Sequence, residues 1–189
     1  MTRMTLIEAD TAPTAPPWSV TEWIGSEPLT VEGLVGRVVV LHTFQMLCPG
    51  CVQHGLPQAQ RIRAAFDPVD VAVVGLHTVF EHHEAMGPQA LRAFVHEYRI
   101  DFPVGIDTPG RTGPIPVTMG RYALVGTPSL VLIDRTGKLR MHAFGRPTDL
   151  QVGAAIAQLV VESSAATVLP SRSPERERSG CTTDGCRCE

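Results

Sequence analysis

VVVLHTF, residues 38 to 44, runs almost without a polar break into QMLCPGC, and this junction limits the possible folds more than any other stretch of the chain. An unalternating apolar run of strand length is expected of a strand covered on both faces, and such strands belong to sheets with helices packed on each side. The Pro-Gly of Cys48-Pro49-Gly50-Cys51 then opens a helix, because proline suits a first helical turn. Its inward face is expected to be Val52, Leu56, Ala59, Ile62 and Phe66, with Pro57 as a kink. Val69 to Leu76 repeats the strand pattern, and Leu91, Phe94, Val95 and Tyr98 recur at helical spacing after Pro88. Phe102 to Ile106 reads as the next strand and Val117 to Ala123 as a short helix. Leu130 to Ile133 and Leu139 to Phe144 form an antiparallel pair turned at Asp134-Arg135-Thr136-Gly137. Thr148 and Gln151 match a capping box for a last helix with Val152, Ile156, Leu159 and Val160 inward. The sum is an α/β sandwich: a central mixed sheet flanked by helices.

With 189 residues, 43% of them hydrophobic and 19% charged, the chain buries one core and is expected to be one domain with additions. Residues 1–17, with Pro13, Pro16 and Pro17, read as a loose leader. Trp18, Val20 and Trp23 before Gly25-Ser26, and Leu29 and Val31 after it, predict an N-terminal hairpin extension to a domain spanning 18–162. Residues 163–189 change to Ser, Pro and alternating charge and read as a disordered linker with a cysteine-rich tail. A net charge of -3 carries no basic footprint, so nucleic acid is not an expected partner. Nor is a membrane, since the apolar runs are strand-sized. The acidic, proline-containing N-terminal stretch is unlike a secretory signal, and the expectation is a cytoplasmic protein.

The five cysteines fall into two groups, Cys48 with Cys51, and Cys181, Cys186 and Cys188. In a reducing compartment both groups read as redox or metal chemistry. The first cysteine of a pair at a helix start can aim its sulfur at unpaired N–H groups and the positive end of the helix dipole, which favours a thiolate. The second lies a turn deeper, placed to attack a mixed disulfide and release product. A half zinc site completed by the tail is the alternative, and a chance pair of core cysteines the plainest one.

VTEWIGSEPLTVEGLVGRVVVLHTFQMLCPGC, VAVVGL, ALRAFVHEYRIDFPVGID and GTPSLVLIDRTGKLRMHAFG together resemble successive blocks of the thioredoxin-like thiol-disulfide oxidoreductases, in particular their redoxin branch. The resemblance covers roughly residues 18 to 162 and implies a thioredoxin fold. It implies a redox-active Cys48–Cys51 disulfide with no other cofactor, in which Cys48 attacks and Cys51 resolves. The implied partners are a disulfide-bearing protein or small thiol substrate and a dithiol reductant, with roles in redox homeostasis and antioxidant activity. It makes Pro128 a cis-proline facing the cysteines and Thr127 a backbone partner for bound peptide; read without it, Thr127-Pro128 is a turn leading into a strand. Pro49 and Gly50, between the cysteines, tune the potential. Three positions depart from the family. His42 stands six residues before Cys48, where the family carries a buried Asp or Asn, and His54 three residues after Cys51, where some members carry Glu. Either is a candidate base toward Cys51, against a hydrogen-bonded core role for His42 and a solvent-facing one for His54. Pro57 falls one residue later than the usual helix proline, which predicts altered helix geometry.

Peroxiredoxins share this architecture, and one branch carries Thr-Pro-Gly-Cys with the last cysteine attacking peroxide. On that reading Cys51 is peroxidatic. The orienting hydroxyl is then missing, and Arg121 and Arg135 lie out of pattern.

Two features lie outside these blocks. HTVFEHHEAMG, with His77, His82 and His83, follows a parallel strand and is expected at the crevice edge, as a metal-binding or gating loop or as a solvated helix start. CTTDGCRCE is open to three readings: a disulfide shuttle, a thiolate clip for a soft metal, or an incidental tail.

Overall fold

The computed structural model describes residues 5–166. Six strands form a single sheet in the order β1-β4-β3-β2-β5-β6. The strands are β1 Val20–Ile24, β2 Val38–Phe44, β3 Val71–His77, β4 Val104–Asp107, β5 Ser129–Ile133 and β6 Leu139–Phe144. β2 runs parallel to β3, and β3 parallel to β4, while β5 and β6 are antiparallel additions on one side and β1 on the other. The helices are α1 Leu56–Ala65, α2 Pro88–Glu97, α3 Val117–Arg121 and α4 Asp149–Ala166.

β2 is buried at every residue, as its unbroken apolar sequence requires. Val38, Val40 and Phe44 face one core with Leu56, Ala59 and Ile62 of α1, Leu91 of α2, and Val152, Ile156 and Leu159 of α4. Val39 and Leu41 face the other, against Leu34, Met119, Tyr122 and Leu124. A second layer covers each face of the sheet, so β2 lies at the centre of the molecule and its C-terminal end delivers the cysteines to the edge of the sandwich. The box predicted at the last helix forms: Gln151 N–H donates to Thr148 Oγ1 at 3.3 Å and Thr148 N–H to Gln151 Oε1 at 3.2 Å. α4 continues to Ala166, past residue 163 where the change in composition places the linker. The rest of that tail lies outside the described residues. No helix among the described residues is long and apolar enough to cross a membrane.

Two expectations are corrected at the N-terminus. The hairpin does not form: β1 pairs antiparallel with β4, and Val31 leads into a 3-10 turn at Glu32–Leu34. An isolated hairpin is marginal in water, whereas the open edge of β4 offers a ready ladder of backbone partners. The leader, over its described part, is not loose. Ile7 N–H donates to Arg140 O at 2.8 Å, Leu139 N–H to Pro13 O at 2.8 Å and Ala15 N–H to Gly137 O at 2.9 Å, with Ala12 and Ala15 buried. Prolines are tolerated at a sheet margin because their missing N–H faces away from the ladder, and small alanines let the chain lie close.

Candidate active site

After Phe44 the chain leaves β2 through Gln45, whose carbonyl accepts the Cys48 N–H at 3.2 Å. Helical conformation begins at Pro49, as the Pro-Gly pair predicts. The N–H groups of Cys51 and Val52 both turn back to Cys48 O, at 3.0 and 3.1 Å. Cys51 N–H also points at Cys48 Sγ, 3.2 Å away, so the first sulfur sits over the opening turn of the helix. From Cys51 to Gly55 the turn is a π-helix, closed by Leu56 N–H donating to Cys51 O, and α1 follows with Pro57 in its first turn. The late proline is thereby accounted for: one extra residue in the wide turn moves it onward to a position where no N–H is needed.

The two cysteines occupy different environments. Cys48 is half-exposed and Cys51 fully buried, and both are free thiols. Burial pushes the Cys51 thiol up to about 12, helped by the hydrogen bond and charge of neighbouring Cys48; the Gln45 backbone and the Thr127 hydroxyl pull in the opposite direction. Opposite them, the Thr127–Pro128 peptide is cis. Cys48 Sγ donates to Thr127 O at 3.5 Å. Pro128 closes over the helix start so tightly that a Cβ on Gly50 would lie 3.3 Å from its Cδ, which explains a glycine between the cysteines. Cys48, Cys51, Pro49, Gly50, Thr127 and Pro128 thus converge on one place.

The histidines divide. His42 is buried beneath the π turn: a Cβ on Gly55 would come 2.5 Å from its Cε1 and 2.7 Å from its Nε2. Its ring stacks on Phe44 at 6.3 Å, and neither ring nitrogen has a hydrogen-bond partner, Cys51 included. Burial lowers its pKa to about 4, so the imidazole is neutral at pH 7. His42 is therefore not the hydrogen-bonded core residue of the plainer expectation. His54 is half-buried on the same turn. His77 ends β3, with its ring 5.4 Å from Phe44, its Nε2 unpartnered and its pKa also lowered to about 4 by burial. His82 and His83 are exposed, and His82 adopts a left-handed φ of 50°. Among the described residues no three His, Cys, Asp or Glu side chains converge as metal ligands.

Two residues of the site went unread in the sequence. Gln45, fully buried, accepts Phe80 N–H at 3.3 Å and reaches both Glu81 Oε1 and Thr127 Oγ1 at 3.5 Å, tying the histidine loop and the cis-proline loop to the cysteine helix. A polar residue at the carboxyl end of a parallel strand is the available signal. Gly55 is the other, and an isolated glycine inside a helical pattern signals a close approach. The arginines sit elsewhere: Arg121 donates to Pro17 O at 2.7 Å, and Arg135 to Gly36 O at 2.9 Å and Asp70 Oδ1 at 2.6 Å.

No protein-family model matches the chain, and no curated protein sequence does. Solved structures do. A thioredoxin-like superfamily protein is 57% identical, the match covering 78% of this chain and 96% of that one with a TM-score of 0.77. A thiol-disulfide isomerase from Corynebacterium glutamicum is 48% identical over 80% of this chain and 97% of that one, again with a TM-score of 0.77. StoA from Bacillus subtilis, 23% identical over 75% and 98% of the respective chains with a TM-score of 0.58, shares the fold.

Proposed function

We propose, from the premise that this chain belongs to the thioredoxin-like thiol-disulfide oxidoreductases, that it reduces or exchanges disulfides through Cys48 and Cys51. The observation that carries the assignment of roles is the asymmetry of the pair. Cys48 is reachable from solvent and its sulfur receives the Cys51 N–H; Cys51 is buried and held as a thiol.

Cys48 Sγ attacks one sulfur of the substrate disulfide, and the other sulfur leaves as a thiolate and takes a proton. Cys51 then attacks Cys48 Sγ, the second substrate sulfur departs, and two electrons have passed from the cysteine pair to the substrate. Thr127 and Pro128 form the wall along which an extended substrate segment lies. An external dithiol resets the pair. The rise in Cys51 partly reflects the neighbouring Cys48, and that contribution falls away once Cys48 is joined to substrate, which readies Cys51 at the step that needs it. In the reduced protein burial raises Cys51 and lowers His42, so transfer of the Cys51 proton to His42 is uphill. His42 is therefore not the base toward Cys51 in the reduced protein, and His54 is the partly exposed alternative.

A peroxidatic Cys51 is less well supported, because that sulfur is buried and both candidate arginines are engaged away from it. The test is trapping. Cys51→Ser mixed with oxidised glutathione should accumulate an adduct on Cys48, while Cys48→Ser should show neither adduct nor disulfide reduction above background. Rapid oxidation of Cys51 by peroxide in Cys48→Ser would overturn the assignment.

A further inference from the structure

At the end of the sheet opposite the cysteines, β3 has an unpaired margin. Val38 N–H donates to Asp70 O at 2.8 Å, so the backbone groups of Asp70, Ala72, Val74 and Leu76 turn toward β2, and those of the residues between them turn toward β4. Gly75 N–H accordingly donates to Pro103 O at 2.8 Å, but pairing with β4 begins only at Gly75 and Val104. The next rung would need an N–H at position 103 to donate to Val73 O, and proline has none. Val71 N–H is taken up by Asp67 O at 2.9 Å. Val71 O, Val73 N–H and Val73 O are left facing an edge that no described strand covers.

A groove of about 170 Å³ runs along this edge, with Val71, Ala72, Val73 and Val74 all in its wall and Pro103 at its head. Successive side chains of a strand point to opposite faces, so four in a row meet one cavity only along the strand's edge. The volume is below the roughly 300–1,000 Å³ of a cofactor pocket, and an extended segment entering edge-on suits it better. Leu29 and Leu34 give the groove an apolar side. Its charge comes from Arg37, just before β2, and Arg63, in the last turn of α1. Among the described residues neither guanidinium has a carboxylate or hydrogen-bond partner, whereas Arg61, Arg92, Arg135 and Arg140 all do.

We propose that this edge of β3, flanked by Arg37 and Arg63, is a docking site for an extended acidic segment of a partner protein. The segment adds as a short strand: its amides donate to Val71 O and Val73 O, and one of its carbonyls accepts from Val73 N–H. Its apolar side chains lie toward Leu29 and Leu34. Carboxylates at its ends meet the two arginines, each of which can bind a carboxylate through two parallel N–H groups. A basic segment would bring like charge to both arginines, so the sign of the charge selects the partner. Val38 and Phe44, at the two ends of β2, are six residues and about 20 Å apart, so a segment held here leaves the cysteine edge open.

The test titrates the peptide acetyl-EVTVE-amide into the full chain labelled with nitrogen-15 and follows backbone amides by NMR. Shifts at Val71 to Val74 should saturate with a Kd below about 1 mM, and Val73 N–H should gain protection from exchange. The peptide acetyl-KVTVK-amide should bind at least about tenfold more weakly. Arg37→Glu combined with Arg63→Glu should reverse that preference, a result that also shows the variant to be folded. N-methylation of alternate amides in the acidic peptide should abolish binding, because the methylated nitrogens cannot donate to β3. Absence of shifts at about 1 mM peptide, equal binding of the two peptides, or shifts confined to Cys48 and Thr127 overturns the proposal. So does self-association that protects Val73 N–H without peptide, which makes a second copy of the chain the occupant.

Discussion

Gly55→Ala tests the packing under the cysteine helix. Within a helix this exchange ordinarily stabilises by about 1 kcal/mol, because alanine gives up less backbone freedom on folding. At Gly55 the added Cβ would lie 2.5 Å from His42 Cε1, 2.7 Å from His42 Nε2 and 3.0 Å from Pro128 Cβ. His42 is buried between strands on both sides and stacked on Phe44, so its ring has little room to retreat. Overpacking of this kind costs roughly 1–3 kcal/mol, which exceeds the gain in helix propensity. Gly153 in α4 supplies the control, since a Cβ there meets nothing within 4 Å. Urea unfolding of the reduced protein, followed by the fluorescence of the packed Trp18–Trp23 pair, should show Gly153→Ala raised and Gly55→Ala lowered in midpoint, with m unchanged. His42→Ala should remove much of the penalty, so that the double variant is more stable than the sum of the single effects by at least about 1 kcal/mol. Equal midpoint shifts of the same sign for both glycine variants would refute the reasoning.

Three further outcomes are expected. Alkylation of the reduced wild-type protein at pH 7 should label Cys48 and spare Cys51, whose labelling in the folded state should wait until the pH approaches 12; equal labelling at neutral pH contradicts the asymmetry. His42 and His77 are both held near 4 by burial, so the unfolded chain binds protons first, and stability should fall as pH drops from 6.5 through 4, by up to about 3 kcal/mol for each. Urea midpoints across that window should flatten in a His42→Gln, His77→Gln variant, and an unchanged slope refutes the attribution. Asp134→Ala removes the carboxylate that accepts from Thr136 N–H, Lys138 N–H and buried Arg140, and should cost on the order of 3 kcal/mol in the same assay.

The sheet, four helices and the cysteine helix start were legible because each rests on a local pattern. β2 is continuously apolar, Thr148 and Gln151 sit at capping spacing, and Asp134 to Gly137 is a turn by composition. The N-terminal segments were misread for the opposite reason. Nothing in residues 5–17 announces that β6 has an unclaimed margin some 120 residues later, and nothing in Val20–Ile24 names β4 as its partner. Long-range pairing decides both, and propensity is silent about it.

The site divides along the same line. Cys48-Pro49-Gly50-Cys51 and Thr127-Pro128 were found from short motifs, whereas Gln45 and Gly55 matter only through what the fold brings against them. His42, Gly55 and Pro57 show the two kinds of information meeting. Each is odd by itself: a histidine in an apolar strand, a glycine in a helix, a proline one place late. In the structure they form one arrangement, in which the π turn moves Pro57 onward while Gly55, four residues after Cys51, leaves the space that the imidazole fills. Replacing His42 with Asp would therefore put a smaller, charged group against the gap left by Gly55. Asp at 42 should destabilise the fold unless position 55 regains a side chain, which makes His42 and Gly55 a coupled pair.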